Sequence, residues 1–230
     1  MLSDQKVDLP APSGLNLASG SLALVYDTSI FGATSPIIGQ SYRLEFSPIL
    51  GTIKFNNVLL DYRRYLMPLR PFTFATRIFH YGRYGQDSET DRLTPLFLGY
   101  PGLVRGYDSN SFSQSECSGN DCPTFDRLIG SKIALANFEM RFPLLGLLHA
   151  GPGYYGFLPL ETAVFYDLGV AWTKAEEAAF LGGSREFVRS YGATARLNLL
   201  GYLVLQLDYV NPIDRPQKGW YWQFNFTTGF

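Results

Sequence analysis

The side chain with the clearest chemical requirement is Arg105, in the segment Pro101-Gly102-Leu103-Val104-Arg105-Gly106-Tyr107-Asp108. Glycine allows positive φ and close backbone approach, so this segment can fold back tightly. A guanidinium stays charged and needs carboxylates wherever it is shielded from water. Two later strand-like segments offer Glu139 and Asp167 as partners. The chemistry indicated is an internal ion pair that latches an inward-folded loop.

Covalent catalysis is not indicated. The sequence contains no Gly-x-Ser-x-Gly elbow for acyl transfer. His80 lies in an aromatic strand-like segment and His149 in a glycine-proline turn, and neither has a nearby partner that would make it a base. We therefore expect no enzyme activity, no metal site and no cofactor.

The two cysteines, Cys117 and Cys122, are separated by a four-residue spacer of Ser, Gly, Asn and Asp. Such a spacer can turn sharply enough to bring both sulfurs within bonding distance. The pair predicts a disulfide and an oxidising compartment. A metal site is the weaker interpretation, because both histidines lie far away in the sequence.

Composition limits the class of protein. At 230 residues the chain fits one large all-β domain, or part of something bigger. Charged residues make up 17%, against a usual share of about a quarter. The net charge of −1 gives no basic field for nucleic acid. The sequence has no run of about 18 apolar residues, and its N-terminus lacks the apolar core of a signal peptide.

Apolar and polar residues alternate in about nine segments from residue 21 to residue 230, after an extended lead-in at residues 1–20. Several segments run for about 10 residues, the length that a tilted strand needs to cross a bilayer. An irregular stretch at about residues 85–130 interrupts them and holds both the arginine segment and the cysteine pair. Loops of that length are usually functional or disordered.

The apolar face favours a membrane barrel over a soluble barrel or sandwich. A soluble sheet would carry more Lys and Glu on its outer face and fewer aromatics. The last segment also ends on outward aromatics at the chain terminus, which indicates an assembly signal; its members are Trp222, Phe224, Phe226 and Phe230. A soluble lipid-binding barrel is the remaining alternative in this class.

Taken together, these segments resemble the superfamily of BamA-like outer-membrane assembly and two-partner-secretion barrels. Residues 103–107 resemble the family's Val-Arg-Gly-Phe/Tyr motif, which a long extracellular loop carries into the barrel lumen. Residues 135–143 resemble the strand whose glutamate, here Glu139, pairs with the arginine. Residues 165–172 resemble the strand whose aspartate, here Asp167, completes the latch.

The resemblance implies an antiparallel transmembrane β-barrel in the bacterial outer membrane. We expect about 8–10 strands, or a part of a larger 16-strand or multi-chain barrel. An open sheet edge cannot face lipid, so the lead-in, upstream strands or a second chain must complete the wall. The implied function is insertion or translocation of proteins. The implied partners are lipid and client outer-membrane or secreted proteins. The alternative is a passive small barrel: a structural protein, a narrow pore or a surface-binding module.

Overall fold

The computed structural model describes residues 14–117, 122–151, 153–201 and 203–228. One antiparallel sheet dominates the described residues, and its long strands are neighbours in sequence order. The strands are β1 (Leu17–Ser19), β2 (Leu22–Asp27), β3 (Ile30–Phe31), β4 (Pro36–Gly51), β5 (Phe55–Leu69), β6 (Phe72–Tyr84), β7 (Leu96–Phe97), β8 (Ile129–Gly130), β9 (Lys132–Phe142), β10 (Leu160–Trp172), β11 (Val188–Leu199), β12 (Leu203–Pro212) and β13 (Tyr221–Thr228). All of them belong to this sheet except β7 and β8, which pair with each other.

The long strands present one outward apolar face and one inward face, as the alternation predicts. In β10, Val164 and Tyr166 are exposed, whereas Ala163, Phe165 and Asp167 are buried. Successive side chains of a strand point to opposite faces, so this burial pattern assigns the two faces of the sheet. The predicted all-β, antiparallel architecture is confirmed.

A closed barrel has no sheet edges, whereas the sheet formed by the described strands has two. At one edge β1, β2 and β3 all pair with β4, so the sheet begins at Leu17, inside the segment predicted as an extended lead-in. Residues 1–13 of that lead-in lie outside the described residues. At the other edge β13 pairs with β12. Among the described strands the two edges do not pair with each other, and the sheet is open.

The connections between the strands lie at two opposite ends of the sheet. We call the end that carries residues 85–131 the upper end and the opposite end the lower end. The connections at the upper end are residues 52–54, 85–131, 173–187 and 213–220, and those at the lower end are residues 32–35, 70–71, 143–159 and 200–202.

The long loop at residues 85–131 folds back into the concave side of the sheet. It contains the β7–β8 ribbon, two turns of 3-10 helix and α1 (Pro123–Asp126). Its apolar side chains meet inward side chains of the wall in one buried cluster, made of Leu98, Val104, Tyr107, Leu128, Ile133, Leu135, Ala171 and Val188. The upper half of the concavity therefore holds a packed apolar core between loop and wall.

The helices of the described residues are all short, and α2 (Leu144–Leu147) lies at the lower end. A 3-10 turn at Ala179–Leu181 lies in the upper loop 173–187. None of the described helices is long and apolar enough to cross a membrane.

The upper end of β10 departs from the outward pattern. Val170 and Trp172 have the parity of lipid-facing residues, yet both are buried. The upper loop 173–187 covers them, placing Ala178 and Phe187 against them and the ring of Phe180 5.6 Å from the Trp172 ring. Strand alternation alone would leave Trp172 exposed on the outward face, and the overlying loop buries it instead.

At the lower end, the first connection of the sheet folds into the concave side. The Ser35 hydroxyl donates to both carboxylate oxygens of Glu161, at 2.8 and 2.7 Å. The backbone N–H of Ala33 donates to the Tyr155 hydroxyl at 3.1 Å, and the Asn198 amide donates to the Ala33 carbonyl. The sheet is therefore curved enough for residues 32–35 to reach β10 and β11.

Candidate functional site

The long loop delivers Arg105 to the inward face of the wall. Its side chain is only 5% exposed. Nε donates to Asp167 Oδ2 at 2.7 Å and Nη2 donates to Asp167 Oδ1 at 2.7 Å, which makes a bidentate pair. Nη1 donates to Glu139 Oε1 at 2.7 Å. The backbone N–H of Arg105 also donates to Asp167 Oδ2, at 3.2 Å. The structure thus brings together the three residues that were predicted to form the latch.

The two carboxylates come from adjacent wall strands. Asp167 lies on β10 opposite Asn137 of β9, and Glu139 lies two residues further along β9 on the same face. The Asn137 amide donates to Asp167 Oδ1 at 2.9 Å and to the Leu103 carbonyl at 2.8 Å. The strand period of two therefore places both acids under one guanidinium. The amide of Asn137 fixes the loop and the aspartate at the same point.

The residues around Arg105 account for how closely the loop approaches the wall. The guanidinium carbon lies 3.5 Å from the ring centroid of Phe165, which adds a cation–π contact. Val104 and Tyr107 are fully buried in the loop core. Gly106 has φ +88°, in the left-handed region that favours glycine. A Cβ added there would lie 2.9 Å from Val210 Cγ2, so a side chain does not fit without movement.

The loop also contacts the wall beyond β10. The N–H of Gly106 donates to Gln223 Oε1 on β13 at 3.0 Å. The Tyr107 hydroxyl donates to the Arg189 carbonyl at the start of β11, at 2.8 Å. Burial raises the pKa of Tyr107 above its usual value, and nearby Asp214 adds to the shift. Tyr107 is therefore a neutral donor at physiological pH.

Glu139 is shared by three arginines. Arg141 Nε donates to its Oε2 at 2.7 Å, and Arg196 Nη2 donates to its Oε1 at 2.6 Å. Burial alone would lower the pKa of the Arg105 guanidinium, but Asp167 and Glu139 outweigh it and raise that pKa. Arg105 is thus a permanent cation whose charge is neutralised by the wall.

The latch side chains are engaged with one another in ion pairs and hydrogen bonds. In the described part of the chain, no group of three or more His, Cys, Asp and Glu side chains is placed to hold a metal ion. His80 contacts the Ile133 carbonyl and the Tyr84 hydroxyl and stacks at 5.6 Å from Trp172. What this site can do is fix a loop to a wall with a buried, charge-balanced contact.

The family comparison matches the chain over the same region. A model of the Omp85 superfamily domain matches residues 15–230, which include the latched loop and all of the wall. The chain belongs to the Omp85 superfamily.

A solved structure extends this finding to the fold. The crystal structure of BamA from Haemophilus ducreyi, lacking POTRA domains 1–3, superposes with a TM-score of 0.66 at 17% sequence identity. The match covers 92% of this chain and 42% of that one, so this chain spans less than half of the length of that BamA chain. No curated protein sequence matches the chain. The similarity supports a BamA-like wall for this Omp85 chain.

Sequence reasoning missed a second buried arginine, Arg215, in the connection between β12 and β13. Its Nε and Nη2 donate to the two carboxylate oxygens of Glu116, both at 2.8 Å. Its Nη1 donates to the Gly106 carbonyl at 2.7 Å and to the Ser111 hydroxyl at 2.8 Å. The Phe112 ring lies 3.8 Å from its guanidinium carbon. The Asp214-Arg215-Pro216 sequence looks like an ordinary exposed turn, so only the folded loop reveals these partners.

The remaining predicted site residues lie apart from the latch. Cys117 and Cys122 form a disulfide in the long loop. On β13, Trp222, Phe224 and Phe226 are exposed on the outward face. Phe230 lies outside the described residues. Arg63 and Arg77 both bind Asp61 on the inward face of the wall.

Proposed function

We propose that this protein is a bacterial outer-membrane β-barrel that takes part in inserting or translocating other proteins, without covalent chemistry. The observation that carries the proposal is the contact of Arg105 with Asp167 and Glu139, which anchors a long loop inside the concavity. Membership of the Omp85 superfamily and the likeness of the fold to BamA support this class of activity. Lipid and client polypeptides are the proposed partners.

In this proposal the latched loop is a brace for the wall. It is anchored to β9 and β10 through Arg105 and to β13 through Gly106. The outer backbone edge of β13 has no partner among the described strands, and its side chains on the outward face are aromatic. If this edge closes the barrel only through a weak seam, opening of the seam would let it accept a client strand by β-augmentation. A loop that fixes β13 from inside would set how easily that edge becomes available.

A passive pore is disfavoured by the packing of the upper concavity. The apolar cluster between loop and wall fills part of the upper concavity. Below it lie two cavities of about 210 and 310 Å³, which share Arg63, Arg141 and Arg196 in their linings.

The test is reconstitution of the purified protein into liposomes. We expect the protein to speed the folding of an unrelated outer-membrane barrel added from denaturant, measured by the gel mobility shift of the folded client. Arg105→Met should reduce that acceleration. Arg43→Met removes an exposed ion pair with Glu45 and is the matched control. It should behave as the unsubstituted protein does.

Two results would count against the proposal. If the client folds no faster with the protein than with empty liposomes, and the liposomes conduct ions, the passive barrel replaces the proposal. If Arg105→Met folds normally and still accelerates the client fully, the latch has no part in the activity.

A further inference from the structure

The connection between β9 and β10, residues 143–159, differs in composition from the upper loop of similar length. It contains no Asp, Glu, Lys or Arg. The upper loop 173–187 contains five charged residues: Lys174, Glu176, Glu177, Arg185 and Glu186. The other lower connections are short turns. A long water-exposed loop ordinarily carries charges, so the loop at residues 143–159 requires another environment.

Large apolar side chains of this loop are exposed. Leu148 is 67% exposed and Phe157 is 70% exposed. Two further exposed leucines lie beside this loop at the lower end: Leu69, the last residue of β5, is 72% exposed, and Leu200, in the turn after β11, is 92% exposed. Single exposed apolar residues are normal, but a set of them along one rim marks an interaction surface.

Hydrogen bonds of its tyrosine hydroxyls and of its backbone hold the loop in place. The Tyr154 hydroxyl donates to the Pro71 carbonyl at 2.9 Å, and the Tyr155 hydroxyl accepts from the Ala33 N–H at 3.1 Å. Within the loop, the N–H of residue 157 donates to the carbonyl of residue 150 at 2.9 Å. The tyrosines are therefore bound to other lower turns, while the apolar side chains at positions 148 and 157 remain uncovered. These apolar side chains are presented by a fixed loop.

We propose that residues 143–151 and 153–159, with Leu69 and Leu200, insert into the lipid interface at the lower end of the wall. This inference rests on the proposed membrane location but not on the insertion activity. Its basis is continuity with the outward face. Phe142, the last residue of β9, packs its ring 6.0 Å from that of Phe72, and both have outward parity. Leu200 directly follows β11, whose last residue is also an exposed leucine.

The exposed leucine and phenylalanine side chains, continuous with the outward face of the wall, favour lipid over a protein partner. Protein interfaces of exchangeable partners carry a polar rim around their apolar centre. Interfacial membrane segments instead bury apolar side chains to a depth of about 5–10 Å, at the boundary of headgroups and acyl chains. Leucine, phenylalanine and tyrosine in a glycine-rich loop without charges match the second environment.

The experiment places a tryptophan at the proposed contact. Phe157→Trp and, separately, Leu148→Trp are reconstituted as full chains into phosphatidylethanolamine–phosphatidylglycerol vesicles with brominated acyl chains. The emission of the native tryptophans, measured in the unsubstituted protein, is subtracted. Ser184→Trp, in the charged upper loop, is the matched control. We expect the added emission at positions 157 and 148 to fall about twofold or more. We expect little loss at position 184.

The native residue Trp222 separates the two ways of failing. It is exposed on the outward face of β13, so bromine should quench it in any correctly inserted protein. Quenching of native emission without quenching at 157 and 148 would overturn the inference and leave the membrane location standing. Full accessibility of both reporters to aqueous acrylamide would also overturn the inference and would favour a protein partner. Absence of both quenching signals would overturn the membrane location as well.

Discussion

Two buried arginines hold the same loop, and they do so against different kinds of partner. Arg105 reaches from the loop to carboxylates on the wall strands β9 and β10. Arg215 reaches from the β12–β13 connection to Glu116, which lies in the loop itself. Both guanidinium groups are almost fully buried and both pair bidentately with one carboxylate. The two sites differ in what remains when the arginine is removed.

Asp167, on the wall, has few other partners once its arginine is removed. Glu116, in the loop, has several. Without Arg105, Asp167 keeps the Asn137 amide as its side-chain partner, and rigid strands prevent it from turning towards water. Without Arg215, Glu116 keeps contacts with the N–H and hydroxyl of Ser113, in the loop and outside the regular strands. A buried charge left unpaired costs far more than one that can rotate into solvent. How deeply an ion pair is buried thus matters less for the cost of removing its arginine than how rigidly the remaining carboxylate is held.

The largest expected effect comes from Arg105→Met. It removes the cation and leaves Asp167 buried, and breaking such a pair costs about 3–5 kcal/mol. We expect faster proteolysis of residues 85–131 and a lower temperature for loss of the folded gel band.

A double variant tests the physical cause. Arg105→Met combined with Asp167→Asn removes both charges, so most of the lost stability should return. If the double variant is as unstable as the single one, an unpaired carboxylate is not the reason. Arg43→Met, at an exposed pair, should change the same measurements by less than about 1 kcal/mol.

Arg215→Met should have the second largest effect. It removes charge-assisted hydrogen bonds worth about 1.5–3 kcal/mol, while Glu116 turns to Ser113 and water. We expect faster amide exchange in residues 106–116, with the contact of Arg105 and Asp167 retained. Lys218→Met removes one hydrogen bond to the Ser111 carbonyl and serves as the control. An effect of Arg215→Met as large as that of Arg105→Met would break the comparison.

Gly106→Ala probes the point where the two sites meet. Its N–H bonds to Gln223 and its carbonyl accepts from Arg215. Alanine at this φ costs about 1–2 kcal/mol for conformation, before the contact with Val210 is counted. Gly102→Ala is the control, because the structure has open space around that position. Thermal unfolding of both variants measures the difference, and equal behaviour would show that the fold-back tolerates a side chain.

Much of the wall was predictable from the sequence because strand parity is a local property. Alternation alone placed Glu139 and Asp167 on the inward face, and their loop contact followed from a motif resemblance. The curvature that brings Ser35 to Glu161 was not predictable, since it depends on how many strands curl together. The sequence pattern also placed Trp172 outward and could not reveal the loop that covers it.

The contacts of the second buried arginine could not be predicted from the sequence either. Arg215, Glu116 and Gly106 are distant in sequence and meet only because the long loop folds inward. A buried arginine in a polar turn has no period or spacing to distinguish it from an exposed one. Long-range contacts between irregular segments carry little local signal, whereas contacts between regular strands carry a great deal.

The smallest expected effect is a pH dependence at the Arg215 site. Hydrogen bonds from Arg215 lower the pKa of Glu116 from 4.5 to about 2. A carboxyl group with a depressed folded pKa contributes stability that is complete above about pH 4.5 and is lost as the pH falls towards about 2. Amide exchange in residues 106–116 should therefore speed up in acid. Glu116→Gln should differ from the unsubstituted protein at neutral pH and converge with it near pH 2, and Arg105→Met should keep this acid response. A constant difference between Glu116→Gln and the unsubstituted protein across that range would show that the pair with Arg215 does not stabilise the loop.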